Sequence, residues 1–276
     1  MSRIVFSNLS KRIVTSLLGA AAMVTCIAWS QWTYLVLFSG ICFFSLREFY
    51  LLSVRDGYLV QRVIGMASGL AVFLLSFFVS AKIIDHRYYY LLFPLASLIF
   101  LLKLYAKTEA KPFTNIAYTY LGIIYIAVPF ALLNIAAFEG GYYNPQVILG
   151  CLFILWAADI GAYFAGSIFG KNKLFERISP KKSWEGVIGG VLLSASVGVV
   201  LSCRFDTLEA WKWMSIVVIM VVCGVYGDLV ESLMKRSMEI KDSGNALPGH
   251  GGFLDRFDGL FISAPFIVAF LEIFHK

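Results

Sequence analysis

The sequence predicts an all-α fold, a polytopic bundle of about nine transmembrane helices with the N-terminus in the cytoplasm. Three observations predict it. Hydrophobic residues make up 59% of the 276 and charged residues only 14%, against about 45–50% and 25% in soluble proteins, and the mean hydropathy is +0.79. The apolar residues fall into windows of roughly 17 to 25, the length that crosses a hydrocarbon core of about 30 Å as helix. With the N-terminus inside, eighteen of the 23 Lys and Arg residues lie on the inner side and five (Lys82, Arg87, Arg204, Lys212 and Lys276) on the outer, the bias expected of cytoplasmic loops.

The windows are 13–29, 32–52, 63–81, 88–104, 114–137, 146–169, 186–203, 213–234 and 257–274. The first follows Arg3, Lys11 and Arg12 and contains Ala20-Ala21-Ala22, which a signal-peptide cleavage site could use. Its apolar run continues through Val24, Ile27 and Trp29, so a retained span is expected. Asp56-Gly57 marks the turn after the second window, the fourth is short and carries Pro94, and Pro112 opens the fifth. The whole chain is expected to be one membrane domain, with residues 1–140 as scaffold and 141–276 carrying the chemistry. Glycines spaced by four, at 65 and 69, 166 and 170, and 186 and 190, let helices approach closely, within the chain or in a homodimer. Five scattered cysteines in apolar surroundings read as reduced, buried thiols. The net charge of +6 reports topology and contact with anionic membrane lipids, with no nucleic-acid partner.

Charge returns in the second half. Asp159 stands inside the sixth window, where a lone carboxylate costs about 2.5–3.5 kcal/mol and must face the bundle interior with a cation or hydroxyl partner. A basic loop follows, Lys171 to Ser183. In the eighth window Asp228, Glu231, Ser232 and Lys235 are spaced i, i+3, i+4 and i+7, one stripe of a helix. Asp255 and Asp258 stand three apart at the start of the ninth. Two helices joined by about twenty residues can bring Asp228 and Asp255 together as an oxygen-rich site for a hard divalent ion. Magnesium uses one or two carboxylates together with substrate phosphates, so a nucleoside triphosphate is the natural companion. Lys181 and Lys182 on one loop, and Lys235, Arg236, Lys241 and Arg256 around the other, supply the balancing charge. Gly249, Gly251 and Gly252 around His250 permit close backbone approach to a phosphate or base.

The run Ser232-Leu233-Met234-Lys235-Arg236, then Lys241-Asp242-Ser243-Gly244, then Leu247-Pro248-Gly249-His250-Gly251-Gly252-Phe253-Leu254-Asp255-Arg256-Phe257-Asp258 resembles the signature of the phosphatidate cytidylyltransferases. Asp159-x-Gly161-Ala162-Tyr163, Ser179-Pro180-Lys181-Lys182-Ser183-x-Glu185-Gly186 and Gly227-Asp228-Leu229-x-Glu231-Ser232 are similar to that family in the same order. The resemblance covers about residues 155–260. It implies condensation of CTP with phosphatidic acid to CDP-diacylglycerol and pyrophosphate, at a site facing the cytoplasm in a bacterial inner membrane. It also implies a magnesium requirement, with a second cation as a further expectation. Asp228 and Asp255 would hold the metal, Asp159 and Asp258 are further candidate ligands, and Lys182 is a candidate catalytic residue. Ser179, Lys181, Lys235, Arg236, Lys241, His250 and Arg256 are candidates for binding the nucleotide and its phosphates.

Two other functions fit parts of the pattern. A CTP-dependent polyprenol kinase would share nucleotide and membrane but transfer the γ-phosphoryl group. A cation or metabolite transporter could hold Asp159, Asp228 and Asp255 in a bundle, although no internal repeat is visible.

Overall fold

A computed structural model describes residues 17–106, 109–138, 141–240, 243–244 and 252–274. Nearly all of it is helix. α1 (Leu17–Trp29) stops at Ser30, whose hydroxyl accepts the Trp32 N–H at 3.0 Å and caps α2 (Gln31–Arg55). Asp56-Gly57 turns the chain as expected, with Gly57 at φ +88°, and α3 (Arg62–Ser80) returns. The fourth expected span consists of two pieces. A 3₁₀ turn, His86–Leu91, is capped by Asp85, and α4 (Leu92–Leu104) continues it.

The fifth also has an internal joint, with α5 (Pro112–Gly122) and α6 (Val128–Ala137) linked by one π-helical turn, Ile123–Ala127. Pro129 supplies the reason. It has no N–H for the carbonyl four residues back, and widening the turn lets the Val128 N–H reach the Ile123 carbonyl instead.

α7 (Gln146–Phe169) leads into a short antiparallel hairpin, β1 (Lys173–Phe175) and β2 (Ser179–Ser183), which the basic-loop reading had not anticipated. Ser183 then caps α8 (Trp184–Arg204) by accepting the Gly186 N–H at 3.2 Å. The Glu185 carboxylate accepts the backbone N–H groups of Lys171 and Asn172, pinning the foot of the hairpin to the first turn of α8. α9 (Ala210–Ser237) and α10 (Leu254–Ile273) complete the bundle.

Among the described residues seven helical segments are long and apolar enough to cross a membrane, against the nine expected. The first and last expected spans lie outside that count. α1 has thirteen described residues, and α10 begins with Asp255, Arg256 and Asp258, so its apolar stretch is shorter than its helix.

The interior is aromatic. Tyr34, Phe38, Phe73, Phe77, Phe130 and Phe261 are fully buried, and Phe130 meets Phe38, Phe257 and Phe261 edge-on at centroid separations of 5.3–5.9 Å. Large apolar side chains such as Val63, Leu104 and Phe164 face outward, as expected where the surroundings are lipid. Buried polar groups join helices. Tyr34 Oη donates to Asn134 Oδ1 at 3.0 Å, and Asn134 Nδ2 donates to the Phe73 carbonyl, tying α2, α3 and α6. Buried Lys103 donates to Glu109 Oε1 and to the Leu59 carbonyl at 2.8 Å.

Two glycine seams set the position of the site. A Cβ at Gly161 would collide with the Gly189 carbonyl and come 3.0 Å from Gly190 Cα, so α7 and α8 touch through bare backbone. The spaced glycines at 65, 69, 186 and 190 likewise pack inside the chain, against Tyr50, Leu46 and α7. At Gly227 a Cβ would lie 2.5 Å from the Asp258 carbonyl, which draws α9 onto α10.

Candidate active site

The close approach at Gly227 determines which carboxylates meet. With α9 and α10 in backbone contact there, Asp258 comes opposite the stripe on α9. Asp228, Glu231 and Asp258 each offer an oxygen within 4.8 Å of the others. Glu231 belongs to the stripe read from the sequence but had not been assigned as a ligand. The stripe itself is realised: Ser232 Oγ donates to Asp228 Oδ1 at 3.3 Å, and Lys235 Nζ donates to Glu231 Oε2 at 2.9 Å.

Asp255, one turn before Asp258, has its oxygens occupied by donors. Lys235 Nζ donates to Oδ1 at 2.7 Å. Oδ2 accepts from Ser243 N–H at 3.2 Å, Ser243 Oγ at 2.9 Å and Gly252 N–H at 3.0 Å. A carboxylate in the first turn of a helix is favourably placed against its dipole. Here it also gathers the chain leading into α10 and links that chain to α9.

The first-turn N–H groups of α10 need acceptors, and one acceptor comes from far away. Glu48, on α2, accepts the Leu254 N–H through Oε2 at 2.8 Å. Its other oxygen lies against Gly244 and Gly252, where a Cβ on either glycine would strike it. Glu48 and Leu254 are both buried. Sequence reading placed Glu48 in the scaffold half. Its only local signal was a carboxylate near the end of an apolar window beside Arg47.

The hairpin brings the opposite charge. Lys182, on β2, forms an ion pair with Asp228 Oδ2 and points toward the Val225 carbonyl. Asp159 enters from α7. Together Asp159, Ser179, Lys181, Lys182, Asp228, Glu231, Lys235, Asp255, Arg256 and Asp258 line one cavity of about 550 Å³, within the usual range for small-molecule sites. Arg236 does not line it; one position past Lys235, it points from the exposed face of α9. Lys241, Asp242 and His250 lie outside the described residues.

The donor set suits a hard divalent cation. All three clustered ligands are carboxylate oxygens, the preference of magnesium and calcium. Glu231 Oε1 is buried and has no hydrogen-bond partner among the described residues. A buried acceptor without a donor costs about 1–3 kcal/mol, a cost that coordination to a cation removes.

Long apolar helices around a cavity lined by carboxylates and lysines give the make-up of a membrane protein with a charged internal site. A sequence model of the cytidylyltransferase family matches residues 10–274, and the chain belongs to that family. It is 39% identical over 156 residues to a protein named phosphatidate cytidylyltransferase from Staphylococcus saprophyticus, a match covering 56% of this chain and 58% of the relative. Proteins of the same name from Staphylococcus haemolyticus and Staphylococcus aureus are each 38% identical over the same shares. The matched stretch thus spans a little over half the length of these curated relatives.

Proposed function

We propose that the protein transfers CMP from CTP to phosphatidic acid, giving CDP-diacylglycerol and pyrophosphate. The observation that carries this reading is the cavity itself: three clustered carboxylates face Lys181, Lys182 and Lys235 at the margin of a bundle of apolar helices. Such a site can take a triphosphate and a lipid phosphate together, and the family to which the chain belongs transfers cytidylyl groups. The bacterial relatives favour an inner membrane. The lysine and arginine bias favours a site that opens to the cytoplasm, so CTP would enter from water and phosphatidate sideways from the inner leaflet.

Asp228, Glu231 and Asp258 would hold magnesium, and Asp159, which lines the same cavity, is the further candidate for a second cation; Asp255, engaged by Lys235, Ser243 and Gly252, would position the start of α10. The metal would neutralise phosphate charge and polarise phosphoryl oxygens. The chain's own residues do the rest. Lys181, Lys182 and Ser179 on the hairpin, with Lys235 and Arg256, neutralise and orient the two polyanions. A phosphomonoester oxygen of the lipid attacks the α-phosphorus in line, the bond from the α-phosphorus to the bridging oxygen breaks, and pyrophosphate departs. The ionised phosphomonoester is already a nucleophile, so catalysis is chiefly alignment and charge stabilisation. No covalent enzyme intermediate is required.

The test is pyrophosphate release by purified protein in mixed micelles containing CTP, magnesium and phosphatidic acid, with each omitted in turn. Release that requires all three supports the reading. Release of CDP in place of pyrophosphate would assign a kinase, and absence of any release from monodisperse protein would overturn the assignment.

A further inference from the structure

The polar cavity is graded along its length. Leu155, Trp156, Met220 and Val221 form its inner end. Asp159, Lys182, Asp228, Glu231 and Asp258 follow as a charged belt, and Tyr163, Ser179 and Lys181 lie at the end nearest the hairpin. The order follows from the helices. α7 and α9 run the same way, with Leu155 packed against Gly224 and Lys182, on the strand after α7, paired with Asp228. Each residue further along α7 therefore stands nearer the hairpin.

Tyr163 is the aromatic residue of that outer end. It follows Asp159 by four positions, so the two share one stripe of α7, and it stands about 6 Å further toward the hairpin at 1.5 Å rise per residue. It is 71% exposed although its side chain is large and mostly apolar. Among the described residues its ring meets only that of its neighbour Phe164, edge-on at 5.6 Å, which leaves a face of the ring uncovered. The charge chemistry of the belt makes no use of this ring.

A nucleoside triphosphate whose phosphates lie on the belt has two ends of the cavity in which to put its base. At the inner end Trp156 offers a ring, but Leu155, Met220 and Val221 around it give the carbonyl and amino groups of a base no partner. At the outer end the base meets the ring of Tyr163 with the polar groups of Ser179 and Lys181 close by. The nucleotide also comes from the aqueous side, so its base trails its phosphates.

We propose that Tyr163 is a nucleotide-binding residue, the platform on which the base of CTP stacks while its phosphates lie on the charged belt. The proposal rests on the reading that the cavity takes CTP and names the group that holds the base. Stacking tolerates any base, so Tyr163 contributes affinity and the placement of the α-phosphorus, and the choice of cytosine over uracil lies elsewhere.

The test is equilibrium dialysis of labelled CTP against the full-length protein in detergent, with magnesium and without phosphatidate. Inorganic triphosphate serves as a competitor that has the charge and lacks the base. A base stacked on an aromatic ring gains about 5- to 150-fold in affinity. Tyr163→Ala should weaken CTP by at least about fivefold and leave triphosphate within about twofold, which also shows that the charged belt is intact. UTP should lose affinity in parallel with CTP. Tyr163→Phe and Tyr163→Trp should bind CTP within about twofold of the wild type. In turnover, Tyr163→Ala should raise KM for CTP and leave KM for phosphatidate and the magnesium dependence unchanged.

Unchanged CTP binding by Tyr163→Ala, or an equal loss of CTP and triphosphate, overturns the proposal. So does a Tyr163→Phe variant as weak as alanine, which would give the role to the hydroxyl, or a rise in KM for phosphatidate alone, which would set the ring against lipid. Binding needs no turnover, so protein that shows the dependence on Tyr163 yet releases no pyrophosphate would refute the proposed reaction and leave the base site standing.

Discussion

Replacing Glu48 with alanine removes a single carboxylate from α2, and its effect should appear in chemistry carried by α9 and α10. The hydrogen bond lost is charge-assisted, from the Leu254 N–H to Glu48 Oε2 at 2.8 Å, and such bonds contribute about 1.5–3 kcal/mol. Leu254 is fully buried and Glu48 is 7% exposed, so water does not replace the lost acceptor. The substitution also relieves the cost of holding a carboxylate away from water, which places the net effect near the lower end, about 1–2 kcal/mol. That free energy acts on the first turn of α10, where Asp255 and Asp258 are fixed. If it is expressed as a reduced population of the competent arrangement, turnover should fall by about 5- to 30-fold. The assay is pyrophosphate release as a function of magnesium concentration, on protein that remains monodisperse in detergent. Glu48→Gln keeps an acceptor for the Leu254 N–H and should recover most of the loss. Wild-type turnover in Glu48→Ala would refute the reasoning. A Glu48→Gln variant as impaired as alanine would show that the charge, and not the cap, matters.

Asp228→Asn and Asp258→Asn should each reduce turnover by at least about 100-fold, the scale of removing a principal electrostatic element, with monodispersity unchanged in size-exclusion chromatography. Lys182→Met removes the cation paired with Asp228 and should cost about 100-fold in kcat, with pyrophosphate release as the readout. Chelation by EDTA should abolish release and added magnesium should restore it, as expected where carboxylates hold the ion together with substrate phosphates. Gly161→Val should destabilise by more than the ~1–3 kcal/mol typical of overpacking, because the new side chain meets the Gly189 backbone and no flexible side chain; thermal unfolding in detergent would show it.

The chemistry was legible because charge is rare in this chain and therefore conspicuous. Helical spacing alone put Asp228, Glu231, Ser232 and Lys235 on one stripe, and the structure pairs them along α9, Ser232 with Asp228 and Lys235 with Glu231. The sequence also named Asp159, Lys181 and Lys182 as cavity residues from two other segments. What it could not supply was register between helices. Glu231 joins Asp228 and Asp258 because Gly227 lets α10 approach at that level, a contact no local pattern encodes. The hairpin was missed because β2 carries Pro180 and two lysines, which propensity reads as loop. Glu48 was hidden for another reason: its partner lies 206 positions away, so only the folded chain shows that the scaffold half reaches the site.

The same distance has a consequence during synthesis. At about 5–20 residues per second, a ribosome takes roughly 10–40 s to advance from Glu48 to Leu254. For that interval α2 carries a carboxylate whose acceptor role has no donor yet made, and the carboxylates of α9 wait for Asp258. The cavity is therefore assembled at the end of translation, and chains released before α10 is inserted should lack its assembled carboxylates.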